Sequence, residues 1–251
     1  MNLPQGRRRT LHPMTWLGRH ELATLILLVC VVTGVWAFAE LADEVMEGAT
    51  RPLDQAVLLA MRNPADHSDP RGPRWMEEMG RDFTALGGMG VLTFLTLAVA
   101  GFLLLQRKRR ATVLVLVAVG GGMVLSVLLK HSFERPRPDL VPHASYVFTT
   151  SFPSGHSMMS AITYLTLGAL LARVQPRPAV KAYVLLLAVL LTVGVGISRV
   201  YVGVHWPTDV LAGWTAGATW ALLCWLAARW LQLRGQVEED APESELPSEG
   251  P

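Results

Sequence analysis

The chain has 251 residues, 51% hydrophobic and 17% charged, with a net charge of +2. Soluble domains carry about 25% charged residues, and here the charges leave long stretches with none, so a disordered chain, a basic nucleic-acid-binding domain and a disulfide-stapled secreted domain are all poor descriptions. The near-neutral balance says nothing about partners, and Cys30 and Cys224 each lie inside an apolar run, as small buried hydrophobes do.

Hydrocarbon about 30 Å thick needs about 20 helical residues to cross it. After a basic N-terminal arm, residues 1–21, six runs approach or meet that length: 22–39, 83–105, 111–129, 157–172 (which extends back towards Phe152), 182–198 and 210–228. They are apolar all round, whereas a soluble amphipathic helix shows a polar face. The expected architecture is therefore all-α: a polytopic six-helix membrane bundle over residues 22–234. Gly213 and Gly217 in the last run have the spacing that lets membrane helices approach closely. The Arg-rich start, first apolar run and Ala37-Phe38-Ala39 also resemble a cleavable signal peptide, although the run exceeds an h-region of about 7–15 residues.

Between the first two runs, residues 40–82 hold ten acidic and five basic side chains. Leu53, Ala56, Val57, Ala60 and Met61 follow helical spacing, which predicts a short helix lying on the outer membrane surface. Pro64, Pro70, Gly72 and Pro73 then predict an irregular loop. Basic residues favour the cytoplasmic side. Arg7, Arg8, Arg9 and Arg19, the run Arg107-Lys108-Arg109-Arg110, then Arg173, Arg177 and Lys181, and finally Arg229 and Arg234 share one side if there are six crossings. Both termini are then cytoplasmic, the protein is a multi-pass plasma-membrane protein, and a bacterial inner membrane is the expected location. Segments 130–156 and 199–209 fall outside, yet they carry Lys130, Arg135, Arg137 and Arg199. Cations kept against the trend point to anion binding. The tail, 235–251, is acidic and rich in Pro and Ser, a composition that favours disorder.

Three clusters stand at the outer ends of helices three to six. The first, Lys130-His131-Ser132-Phe133-Glu134-Arg135-Pro136-Arg137-Pro138, pairs a point charge with a planar fork suited to phosphate oxygens; snorkelling to headgroups is the bland alternative. The second, Ser151-Phe152-Pro153-Ser154-Gly155-His156-Ser157, opens a helix. Gly155 frees backbone N–H groups that attract an anion, His156 can donate a proton near neutral pH, and Ser154 can instead serve only as an N-cap. The third runs from Ser198-Arg199 to His205-Trp206-Pro207-Thr208-Asp209. One turn brings the Asp209 carboxylate back to His205, fixing the tautomer and leaving a nitrogen lone pair able to attack phosphorus. Asp209 can equally be a helix cap and nothing more.

Taken together, Lys-x6-Arg-Pro, Pro-Ser-Gly-His and Ser-Arg-x5-His-x3-Asp resemble the type 2 phosphatidic acid phosphatase superfamily, matching without departure and in order from Lys130 to Asp209. The resemblance implies an integral membrane enzyme hydrolysing a phosphate monoester or pyrophosphate of a lipid. It implies that Lys130, Arg137 and Arg199 clamp the phosphate with Ser154 and the Gly155 backbone. It also implies that His205 becomes a phosphohistidine with Asp209 orienting it, and that His156 protonates the leaving alcohol. No metal or other cofactor is expected, because the cations stabilise the transferring group and no carboxylate–histidine cluster has ligand spacing. No nucleic-acid partner is expected; the partners are the lipid substrate and the bilayer. Undecaprenyl pyrophosphate, phosphatidic acid, diacylglycerol pyrophosphate and phosphatidylglycerol phosphate all suit the pattern. The constellation also resembles vanadium haloperoxidases, against which the membrane segments argue. A lipid phosphotransferase and a non-catalytic lipid-binding or transport protein are the other readings. His12, His20, His67, His131 and His143 are read as solvent or interface residues, and Arg135 as an electrostatic helper.

Overall fold

The computed structural model describes residues 13–142 and 149–233, with side chains described for 21–142 and 149–231. The order is α1 (Pro13–Glu47), α2 (Arg51–Ala60), β1 (Arg62–Asn63), β2 (Asp66–Pro70), α3 (Arg74–Leu86), α4 (Met89–Leu105), α5 (Arg109–Ser132), α6 (Gly155–Arg173), α7 (Pro178–Tyr201) and α8 (Pro207–Leu233). His12, His143 and the acidic tail lie outside the described residues. Helix α1 starts at Pro13, so the expected basic arm is in part the first turns of this helix.

Among the described residues, four helical stretches are long and apolar enough to cross a bilayer: Glu21–Glu47, Arg109–Ser132, Pro178–Tyr201 and Pro207–Leu231. Helices α3 and α4 make a fifth if they are taken as one broken span, bent by 50°. The six expected apolar runs differ from the observed helices in two places. The run 83–105 is not one helix: Gly87 ends α3 and Gly88 caps α4. Helix α6 is not among the four, and it packs against α4, α5, α7 and α8. A helix walled in by protein need not be greasy, and α6 buries Ser157, Ser160, Thr163 and Thr166.

The bundle has a narrow core and an apolar exterior. Around α6, Met158, Met159, Ile162 and Tyr164 pack with Leu92, Val119, Ala188, Val195 and Ala216. Outward-facing positions such as Phe94, Val124 and Leu186 are more than half exposed, as suits a lipid-facing wall. Gly213 and Gly217 of α8 face α6: a Cβ on Gly213 would sit 2.6 Å from the Ser154 carbonyl oxygen, and one on Gly217 2.5 Å from that of Met158. These glycines let the two helices approach along their length.

Segment 40–82 covers the end of the bundle where α5 and α7 finish and α6 and α8 begin. Helix α2 forms where the spacing predicts it, with two opposite faces. Leu53, Ala56 and Ala60 are exposed, and the buried face carries Asp54 and Leu58. The predicted irregular loop contains a small antiparallel hairpin, β1–β2, pairing Arg62 with Pro70 and Asn63 with Asp66; the fold is thus helical with this one exception among the described residues. Arg62 anchors the hairpin by donating from Nη2 to the Tyr201 carbonyl, 2.8 Å.

Candidate active site

The first cluster follows α5. Lys130 stands in its last turn and donates from Nζ to the Thr150 carbonyl, 3.0 Å, while Thr150 Oγ1 donates back to the Lys130 carbonyl, 3.0 Å. Arg137 leaves the following extended segment and donates to the carbonyls of Thr149 (2.8 Å) and Val204 (2.7 Å). Its Nη1 also lies 3.3 Å from His205 Nε2. Two clusters separated by some 70 residues therefore meet at one guanidinium.

The second cluster starts α6. Ser154 is the N-cap, and its hydroxyl oxygen accepts from Ser157 N (3.4 Å) and Ser157 Oγ (2.9 Å). Ser154 is fully buried, so the capping role considered from sequence is real, and its own O–H is the one donor left over. Gly155 lies against Lys130: a Cβ there would be 3.3 Å from Lys130 Cε. His156 is half-buried beside Gly87, with its Cβ 3.4 Å from where a Gly87 Cβ would stand. It is within electrostatic reach of Arg199, His205, Lys130 and Arg137.

The third cluster joins α7 to α8. Gly203, at φ +78°, takes the left-handed conformation that glycine tolerates and turns the chain sharply into Val204 and His205. Helix α8 then begins with Pro207 in its first turn, where the missing N–H costs nothing. Asp209 accepts the Trp206 backbone N–H at Oδ2, 2.9 Å, the reach-back half of a capping box. The same Oδ2 accepts from Ser151 Oγ and lies 3.4 Å from His205 Nδ1. Asp209 is thus both a cap and a partner of the imidazole. With the proton on Nδ1, Nε2 presents its lone pair towards Arg137. His205 is 2% exposed. Burial pushes its imidazole down to about 3, against the opposing pull of Asp209, so the ring is neutral at physiological pH. Burial likewise lowers Arg137 from its ordinary value, with Asp209 opposing, without removing its charge.

Arg199, on the last turn of α7, is 2% exposed, and its Nε and Nη1 have no hydrogen-bond partner among the described residues. Buried guanidinium N–H groups normally find acceptors. An oxyanion at this point would satisfy these donors. The structure therefore brings Lys130, Arg137, Ser154, Gly155, His156, Arg199, His205 and Asp209 to one end of the bundle. His67 and His131 are exposed, away from this cluster. Among the described residues no three His, Cys, Asp or Glu side chains converge as a metal ion requires.

Residues around this centre went unassigned in the sequence. Ser151 lies within the second cluster but was given no role, and its hydroxyl bonds Asp209. Asp54 and Thr208 join Arg135 in a buried network described below. The one signal for Asp54 was a carboxylate on the same helical face as Leu58, four residues on.

Residues 111–233 match the family model described as the PAP2 superfamily. A phosphatidylglycerophosphatase B of Bacillus subtilis is 34% identical over 186 residues, covering 72% of this chain and 85% of that protein. An undecaprenyl-diphosphatase of Sulfolobus acidocaldarius is 31% identical over 121 residues, covering 46% of this chain and 54% of that one. The crystal structure of a transmembrane PAP2-type phosphatidylglycerolphosphate phosphatase from Bacillus subtilis superposes with a TM-score of 0.70 at 29% identity, covering 83% of this chain and 98% of that one. Fold, site and relatives together define a membrane lipid phosphatase, a hydrolase. The chain belongs to the PAP2 superfamily.

Proposed function

We propose that the protein hydrolyses a phosphate monoester or pyrophosphate of a membrane lipid through a phosphohistidine on His205, without a metal ion, at the extracytoplasmic face. The observation that carries this reading is the meeting of a neutral, carboxylate-anchored imidazole with Arg137 and the unpartnered Arg199. His205 Nε2 attacks phosphorus and forms an N–P bond. The P–O bond to the lipid breaks, and the departing oxygen takes a proton from His156. Asp209 holds the Nδ1 proton and stabilises the cationic ring as it develops. Water then attacks the phosphohistidine and gives a proton to His156; the N–P bond breaks, releasing phosphate and neutral His205. Lys130, Arg137 and Arg199, with the Ser154 hydroxyl and the Gly155 backbone, hold the equatorial oxygens and stabilise their charge.

The location of the site at one end of a bundle with an apolar exterior supports a lipid substrate whose tail stays in hydrocarbon while the headgroup enters. Phosphatidylglycerol phosphate and undecaprenyl pyrophosphate are the first candidates, since relatives carry those names; phosphatidic acid and diacylglycerol pyrophosphate offer the same reacting group. Six crossings, counting α3–α4 as one and α6 as another, put both termini in the cytoplasm.

Phosphate release by the purified protein in detergent tests this directly. Wild type releases phosphate from one or more of these lipids at a rate unchanged by EDTA. His205→Ala loses activity by about 10³-fold or more while eluting as a folded protein. Wild type incubated with substrate labelled on its phosphate and quenched in alkaline detergent retains label that acid then releases, and His205→Ala retains none. Activity surviving in His205→Ala, or strict metal dependence, overturns the reading. Transfer of the label to a lipid or sugar acceptor in place of water identifies a phosphotransferase.

A further inference from the structure

Helix α2 is short and lies outside the spanning helices, yet it buries a carboxylate: Asp54 is 1% exposed. A charge taken out of water needs partners, and Asp54 has a full set. Its Oδ2 accepts from Arg135 Nη2 (2.6 Å), Thr208 Oγ1 (2.7 Å) and Thr50 Oγ1 (3.1 Å), and its Oδ1 from the Thr208 backbone N–H (2.9 Å). The last contact satisfies a donor in the first turn of α8, so Asp54 caps that helix from a different element.

Arg135 is the bridge. While Nη2 holds Asp54, Nη1 donates to Thr208 Oγ1 (2.8 Å) and to Asp209 Oδ1 (2.6 Å). Its guanidinium lies 5.7 Å from the centroid of the Trp206 ring. One planar fork is thus fixed on two carboxylates, a geometry that a lysine cannot supply. The Asp209 carboxylate is in turn held on both oxygens: Arg135 on Oδ1, and Ser151, the Trp206 N–H and His205 on Oδ2.

We infer that Asp54 and Arg135 are positioning residues for the reaction, holding Asp209 in the rotamer that meets His205 and setting the charge it presents. This rests on the phosphohistidine reading above. Two carboxylates share one guanidinium, so the cluster keeps one net negative charge facing the imidazole. That charge matters most when His205 turns cationic on attacking phosphorus, so the contribution is made in the transition state. Neither Asp54 nor Arg135 hydrogen-bonds Lys130, Arg137 or Arg199, so the phosphate grip does not run through them.

The test is steady-state kinetics in detergent on Asp54→Asn and on the pair Asp54→Leu/Arg135→Met, which removes both charges together and leaves neither buried alone. Both variants are expected to lose about 10- to 100-fold in kcat, as losses of outer partners of an oriented histidine do. KM, and inhibition by inorganic phosphate, should stay within about threefold because Lys130, Arg137 and Arg199 are untouched. Adding Ser151→Ala to Asp54→Asn should cost less than the product of the single effects, since both act on one carboxylate. Wild-type kcat in either folded variant overturns the inference, as does a loss confined to KM. Failure of both variants to give folded protein overturns it too, assigning the network to folding. His205→Ala is measured alongside: if it stays active, the phosphohistidine reading has failed; if it is inactive while the Asp54 variants keep wild-type kcat, the positioning inference alone has failed.

Discussion

Arg199 is the residue at which burial and charge bear most heavily on the chemistry. Its Nε and Nη1 have no partner among the described residues, and under the proposed function they meet the transferring phosphoryl group, where a low-dielectric surrounding strengthens each contact. Arg199→Lys keeps the charge and loses the fork, so kcat/KM is expected to fall about 10²-fold with the unfolding midpoint within a few degrees of wild type; equal activity in the two proteins would remove Arg199 from the phosphate site. At this scale the sequence was informative because motif residues carry their own chemistry: a His four residues before an Asp at a helix start can pair with it, and here it does. Asp54 and Ser151 were not legible, because their importance lies in partners 154 and 58 residues away. Arg135 was visible only as a neighbour of Arg137, since nothing in Glu-Arg-Pro-Arg-Pro tells which arginine faces an anion and which a carboxylate.

Among the elements, α6 and α8 set the site's framework. They carry His156 and Asp209 on their first turns, and their contact depends on Gly213 and Gly217. A side chain at Gly217 meets Met158 O at 2.5 Å and Ala161 Cβ at 2.8 Å. Gly217→Leu is therefore expected to destabilise the bundle by about 1–3 kcal/mol and to lower kcat with it, read from thermal unfolding in detergent and phosphate release. Gly120→Leu, where an added Cβ meets nothing within 4 Å, is the control and stays near wild type. Hydropathy alone located α5, α7 and α8 to within a turn or so at each end, and found the middle of α1, which runs about two turns further both ways. It failed for α3–α4, because a Gly87-Gly88 break inside an apolar run leaves hydropathy unchanged. It gave no sign of the opposite face of α2, where Asp54 is buried.

For the whole molecule, charge asymmetry is the main guide to orientation. The short α4–α5 connection and the first turn of α5 carry Arg107, Lys108, Arg109 and Arg110, and the 40–82 segment is acidic, so the former is expected in the cytoplasm and the latter outside. In a variant lacking Cys30 and Cys224, a membrane-impermeant maleimide should label Ser68→Cys in intact cells and Lys108→Cys only after permeabilisation; the reverse pattern inverts the topology and puts the site on the inner leaflet. Bundle and site were readable together because the motifs fall at span ends. The cover built from α2 and the hairpin was not, since the partners that hold it, Tyr201 for Arg62, Arg135 and Thr208 for Asp54, and Val200 and Val210 for Leu58, lie far along the chain.

One bond joins the two helix starts without any side chain: Ser154 N donates to the Asp209 carbonyl, 2.9 Å. Among substitutions at 154, only proline removes its N–H donor. The separation between the segments bearing His156 and His205 is consequently a property of the main-chain trace, inherited by every variant that folds. Altered substrate preference must then arise from what lines the approach to the phosphorus, while the span between those two segments stays constant.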